Sequence, residues 1–176
     1  MTPAAATATA RTVTNSPASL SRRWAALVYE GFLLFALLLV AGFAVLPLVN
    51  PLPATGGHPV EDLYVLPAAS RAFLLCYDIA VTGIYCIGFW SNGRRTLAMK
   101  TWGLALARPE GGSIDTRLAI RRFIAAWIGP LAGLGGYLLL GRWGIVLGLF
   151  NHAWGWIDAD RQFLHDRLAG TRLVRG

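Results

Sequence analysis

Four residues in this chain place charge inside apolar sequence. Arg23 and Glu30 lie in RRWAALVYEGFLLF, residues 22–35, and Arg71 and Asp78 lie in RAFLLCYD, residues 71–78. In each pair the acid follows the arginine by seven residues and is preceded by a tyrosine. Seven residues on a helix return to the same face within about 20° and advance by about 10 Å, so the two side chains share a face without touching through spacing alone. A carboxylate within lipid costs about 2.5–3.5 kcal/mol on insertion scales, so such groups face a bundle interior or a wet cavity. The chemistry that fits is proton or cation binding on a path through the membrane. The alternative is structural: Glu30 clamps its helix to a basic loop, and Asp78 is neutral or paired with Arg71. Arg-to-acid spacing repeated on two oppositely directed helices also fits an inverted repeat, although over eight residues chance and shared apolar composition are the better account.

The elements that must position these residues follow from composition. Of 176 residues, 55% are hydrophobic and 14% charged, with a mean hydropathy of +0.51. A soluble domain carries about 25% charged residues, so lipid is the expected solvent. Residues 1–20, rich in Ala, Thr, Ser and Pro, read as a disordered tail rather than a secretory signal. Residues 21–176 read as one all-α membrane domain, a four-helix transmembrane bundle with a small cytoplasmic polar and β cap. Its spans are expected at about 24–46, 66–90, 123–140 and 143–157. The last is short for a full crossing, which leaves a re-entrant pair open. TWGLALA and GTRLV, on one side of the bundle, are expected to pair as a small sheet.

The net charge is +7 and the pI about 10.3. Seven basic residues fall between the second and third spans, and others flank both termini. Loops that stay in the cytoplasm collect Arg and Lys, which places both termini and the central loop there and accounts for the charge without nucleic acid. The expected partner is the lipid bilayer. Gly129/Gly133 and Gly144/Gly148 have the four-residue spacing that lets helices approach closely; this serves packing of the last two spans on each other, or a homo-oligomer. Cys76 and Cys86, ten residues apart on one segment, stand too far apart for a disulfide. Asn151 and His152 read as a polar contact between helices, and His165 and Asp166 as structural. No cluster has metal-ligand spacing and no catalytic constellation is present, so neither metal, cofactor nor enzymatic activity is expected.

The stretch RRWAALVYE resembles the opening of the first helix in the RDD family of membrane proteins, a pattern like R-R-x-A-A-x-x-x-D. Arg23 stands at the family's arginine and Glu30 at its first aspartate. TLAMKTWGLALARPEGG is similar to the family's central loop, with Leu97-Ala98 where Pro-Gly is usual, and RQFLHDRLAGT is similar to its tail, which places the second aspartate at Asp166. The resemblance covers about Arg22 to Val174. It implies a multi-pass protein of the bacterial inner membrane that moves ions, by cation/proton exchange, or small solutes. The path residues it suggests, with the intramembrane charges above, are Arg23, Glu30, Arg71, Asp78 and Asp166. The alternative is a structural or accessory protein that recruits partners through its basic loop and tail.

Overall fold

A computed structural model describes residues 16–49 and 66–176. The first two elements are long apolar helices, because where water is scarce an apolar run must satisfy its backbone internally and a helix does so. They are α1, Leu20–Val49, and α2, Ala68–Trp90. They run antiparallel: the Tyr85 hydroxyl donates to Glu30, and the Tyr77 hydroxyl donates to the Ala41 carbonyl 3.3 Å away. Pro47 does not end α1, which carries on for two residues more. A proline in the last turn removes only one hydrogen bond, and the helix is ending there anyway.

After α2 the chain turns through Asn92 and Gly93, both at positive φ, into the short helix α3, Leu97–Thr101. Thr96 caps α3 by accepting from the Met99 amide at 3.2 Å. Gly103, at φ +60°, turns the chain into strand β1, Leu104–Ala107. Helix α4, Thr116–Ala126, opens on Asp115, whose carboxylate accepts from the Leu118 amide at 2.8 Å. Pro130 has no amide for the Ala126 carbonyl, and the helix breaks at Trp127 before α5, Ile128–Leu140.

Gly141, at φ +68°, folds the chain back. The return leg is not the single α-helix expected over 143–157. It is a 3₁₀ segment, Gly141–Leu149, followed by α6, Phe150–Ile157. The reason lies in contact rather than propensity. A Cβ on Gly136 would overlap the Gly144 carbonyl, and one on Gly144 would overlap that of Gly136. Gly129 and Gly133 lie less tightly against Gly148, where a Cβ would stand 3.0 and 3.3 Å from its backbone. The glycines thus pack the two legs against each other within the chain. Three stretches are long and apolar enough to cross a membrane: Leu20–Val49, Ala68–Gly93, and Thr116–Ile157, which contains this hairpin.

The C-terminal part forms α7, Leu164–Ala169, ended by Gly170 in the left-handed region, and β2, Arg172–Arg175. β1 and β2 pair antiparallel, with Ala105 opposite Val174 and Leu106 opposite Leu173, so the expected small sheet forms. Of the tail expected to be disordered, residues 1–15 lie outside those described, as does the loop 50–65. Its last residues do not fit that expectation. Pro17 bridges Val174, and the Ala18 amide donates to the Leu173 carbonyl at 3.3 Å, because the free edge of β2 offers partners. The tightly packed core sits at this end, around Ala18, Trp90, Met99, Leu104, Ile114 and Leu173. Farther along the helices, Phe32, Phe35, Phe43, Leu138 and Leu139 all point outward, the surface a bilayer would cover.

Candidate functional site: a cavity between the first two helices

A cavity of about 440 Å³ runs along the α1–α2 pair and ends against α4, α6 and α7. On α1 it is lined by Arg23, Ala26, Leu27, Glu30, Leu34 and Leu38; on α2 by Leu75, Asp78, Ile79, Thr82, Cys86 and Trp90. The intervals are the same on both helices, steps of three and four that keep one face toward the cavity. Corresponding positions differ by 52 residues, whereas Arg71–Asp78 repeats Arg23–Glu30 at an offset of 48. The sequence repeat is therefore out of step by one turn with the lining, and Asp78 corresponds to Ala26, not to Glu30.

Glu30 faces inward, and among the described residues neither Arg23 nor any other arginine is its partner. The Tyr85 hydroxyl donates to Oε1 at 2.6 Å and the Thr96 hydroxyl to Oε2 at 2.5 Å. The expectation of a polar cluster holds, and that of an arginine does not. Arg23 is diverted because its guanidinium lies at the start of α1, within reach of two backbone carbonyls of the C-terminal part. Nη1 donates to the Arg161 carbonyl and Nη2 to that of Leu173 at 2.9 Å. Arg161 presents its carbonyl from a positive-φ turn, which Asp158 holds by accepting from the Asp160 and Gln162 amides.

Asp78 is half-buried on the cavity wall and has no hydrogen-bond or ion-pair partner among the described residues. The antiparallel register sets it beside about residue 40 of α1, roughly 14 Å along the axis from Glu30. Arg71 is exposed, does not line the cavity and forms no pair with Asp78. The spacing that suggested the pair leaves two turns between the groups.

The inner end of the cavity is polar. Asp166, fully buried, accepts from Arg122 Nε at 2.8 Å through Oδ1, which also lies 2.8 Å from Nη2 in an ion pair, and Arg122 stacks over the Trp90 ring at 4.1 Å. The Asn151 oxygen accepts from the His165 amide at 2.9 Å, which fixes the orientation of that side chain. His165 Nδ1 lies 3.1 Å from the same oxygen and must therefore carry a hydrogen. Nε2 is then the acceptor, facing Arg122 Nη2 at 3.2 Å. The ring is neutral in this arrangement, in accord with burial, which pushes its pKa down to about 4 against the pull of Asp166. Burial pushes the Asp166 carboxyl up, but the Arg122 guanidinium, with Arg23 behind it, outweighs burial and holds the group below the usual carboxylate range. His152, expected to make a polar contact, packs its ring in tilted and edge-on contacts with Trp24, Phe163 and His165.

Of the five residues singled out by sequence, Arg23, Glu30 and Asp78 line one cavity, Asp166 stands behind its inner end, and Arg71 lies apart. Sequence reasoning missed Tyr85, Thr96 and Arg122 as partners. Arg122 was visible only as one of several loop charges, yet Asp115 before TRLAIRR is a helix cap, and the helix it opens carries Arg122 inward. The RDD family model matches residues 17–170. The chain belongs to the RDD family. It is an RDD family membrane protein, and the arginine and two acids that carry the resemblance, Arg23, Glu30 and Asp166, all stand at or behind this cavity. No curated protein and no solved structure matches the chain.

Proposed function

We propose that this RDD chain is a transport protein of the bacterial inner membrane, with four crossings and both termini in the cytoplasm. It moves cations against protons, or small solutes, through the α1–α2 cavity. One observation carries the reading: Glu30 and Asp78 open on the same cavity from two membrane-length helices. A clamp would account for Glu30, which holds α2 and the start of α3 through two hydroxyls. It does not account for Asp78, whose carboxyl holds nothing among the described residues. An unpaired acid in apolar surroundings is costly, and a path for ions or protons is a use that offsets the cost.

The test is flux in proteoliposomes. Glu30→Gln and Asp78→Asn should each lower cation-driven proton movement per folded molecule by at least tenfold while the protein inserts, and Asp78→Asn, which breaks no hydrogen bond among the described residues, should also keep its melting temperature. Full flux per folded molecule in both variants would defeat the reading. It would favour the accessory role, which a separate hollow lined by Arg22, Arg95 and Lys100 beside Trp102 supports as a dock for acidic groups.

A further inference from the structure

The inner end of the cavity carries unused hydrogen-bond donors. Arg23 and Asn151 are each 1% exposed, and both line the cavity. Arg23 Nε and Asn151 Nδ2 have no hydrogen-bond partner among the described residues. Neither can turn away to find one. Arg23 is held at both Nη atoms by backbone carbonyls, and Asn151 is held by its oxygen on His165. A buried donor without an acceptor is costly, so two that line one cavity call for an acceptor that enters from the cavity.

The charge at this end decides which acceptor. Arg23 and Arg122 supply two positive charges, and Asp166 compensates one. His165 is neutral by its hydrogen bonds. Glu30, about two turns farther along α1, has each oxygen engaged by a hydroxyl. With Glu30 set about 10 Å away along α1, one positive charge is left over at this end itself, which matches a singly charged anion. The walls next to this end are Ala26, Leu27, Met99, Leu104 and Phe123, which favour hydrocarbon over water.

We infer that the inner end of the cavity binds the carboxylate of a monoanionic amphiphile, with Arg23 Nε and Asn151 Nδ2 donating to its oxygens and its apolar chain lying along α1 and α2. This names the substrate class of the proposed path and rests on that reading. In a transport cycle the carboxylate would travel with a proton, and Glu30 and Asp78 are the acids along its route.

Octanoate binding to the full chain in nanodiscs, with empty nanodiscs subtracted, tests the site through quenching of tryptophan fluorescence. Octanoate should bind more than tenfold tighter than butyrate, and octanol and inorganic phosphate should bind at least tenfold more weakly than octanoate. Asn151→Asp keeps the oxygen that holds His165 and replaces the free donor with a negative charge; it should cost at least tenfold in octanoate affinity. Should that variant not fold, Ala26→Leu narrows the cavity without removing a hydrogen bond and should cost as much. Equal binding of octanol, equal binding of phosphate, or unchanged affinity in the folded variants would overturn the inference. If octanoate fails to bind while Glu30→Gln abolishes cation flux, the site is wrong and the transport reading stands. If octanoate binds as described while both acid variants keep full flux, the site stands and the transport reading falls.

Discussion

Asp166 has two oxygens, and Arg122 covers one of them. Oδ1 takes both guanidinium contacts, while Oδ2 is buried with no partner among the described residues. A buried pair of this kind holds its geometry strongly because removing either member strands the other charge. His165 completes the arrangement as an acceptor, and that role has a pH signature. Its pKa is about 4 in the folded chain and 6.5 when free, so between these values the unfolded chain binds a proton that the folded chain refuses. Stability should be full above pH 6.5 and fall as the pH drops toward 4, by about 3 kcal/mol at most. Asp166, held below its usual range, keeps its contribution through that window and loses it only at lower pH. Thermal unfolding in detergent at stepped pH measures this, and His165→Gln should flatten the decline; an unaltered slope would show that another group causes it. At this scale the sequence was partly legible. The depth of Glu30 required a polar surrounding, and it has one. Its partners could not be read, because hydroxyls pair with a carboxylate as readily as an arginine does and Tyr85 and Thr96 carry no charge to draw notice.

Long apolar elements were legible and the return leg of the hairpin was not. α1 and α2 declare themselves through length and apolarity, and the strands through alternation beside turns. Gly141–Leu149 has the composition of an apolar α-helix and is 3₁₀ because Gly136 and Gly144 meet backbone to backbone. Such runs rarely exceed three or four residues, so tertiary contact must be holding this one. The glycines therefore differ in consequence. Gly144→Ala would drive a methyl into the Gly136 carbonyl and should cost about 3 kcal/mol or prevent assembly. Gly135, in the same helix as Gly136, has open space where a Cβ would go, and Gly135→Ala should change stability by no more than about 1 kcal/mol. Melting temperatures of the two variants side by side provide the check; equal effects would mean that the hairpin is not held by that contact.

Across the whole molecule, charge and polarity agree on direction. The packed end holds α3, α4, α7 and the sheet, and the basic residues between α2 and α5 lie on those elements or beside them. If that end is cytoplasmic, a reporter fused at Gly112 will give a cytoplasmic signal and one fused at Pro59 will not. The reverse pattern would invert the chain in the membrane. The first described residues and the last strand meet here as well. Arg23 is held by carbonyls 138 and 150 residues later, and Pro17 bridges Val174. This has a consequence for the order in which the protein is made. At about 5–20 residues per second, the residues that satisfy Arg23 follow it from the ribosome by roughly 8–30 s. Throughout that interval α1 is complete while its arginine has no partner in the chain. The guanidinium must then rest among lipid headgroups and interfacial water, which its place in the first turn of α1 allows. Final locking of the first helix thus waits for the last strand, and a nascent chain interrupted before Leu173 would sit in the bilayer with its inner end unsealed.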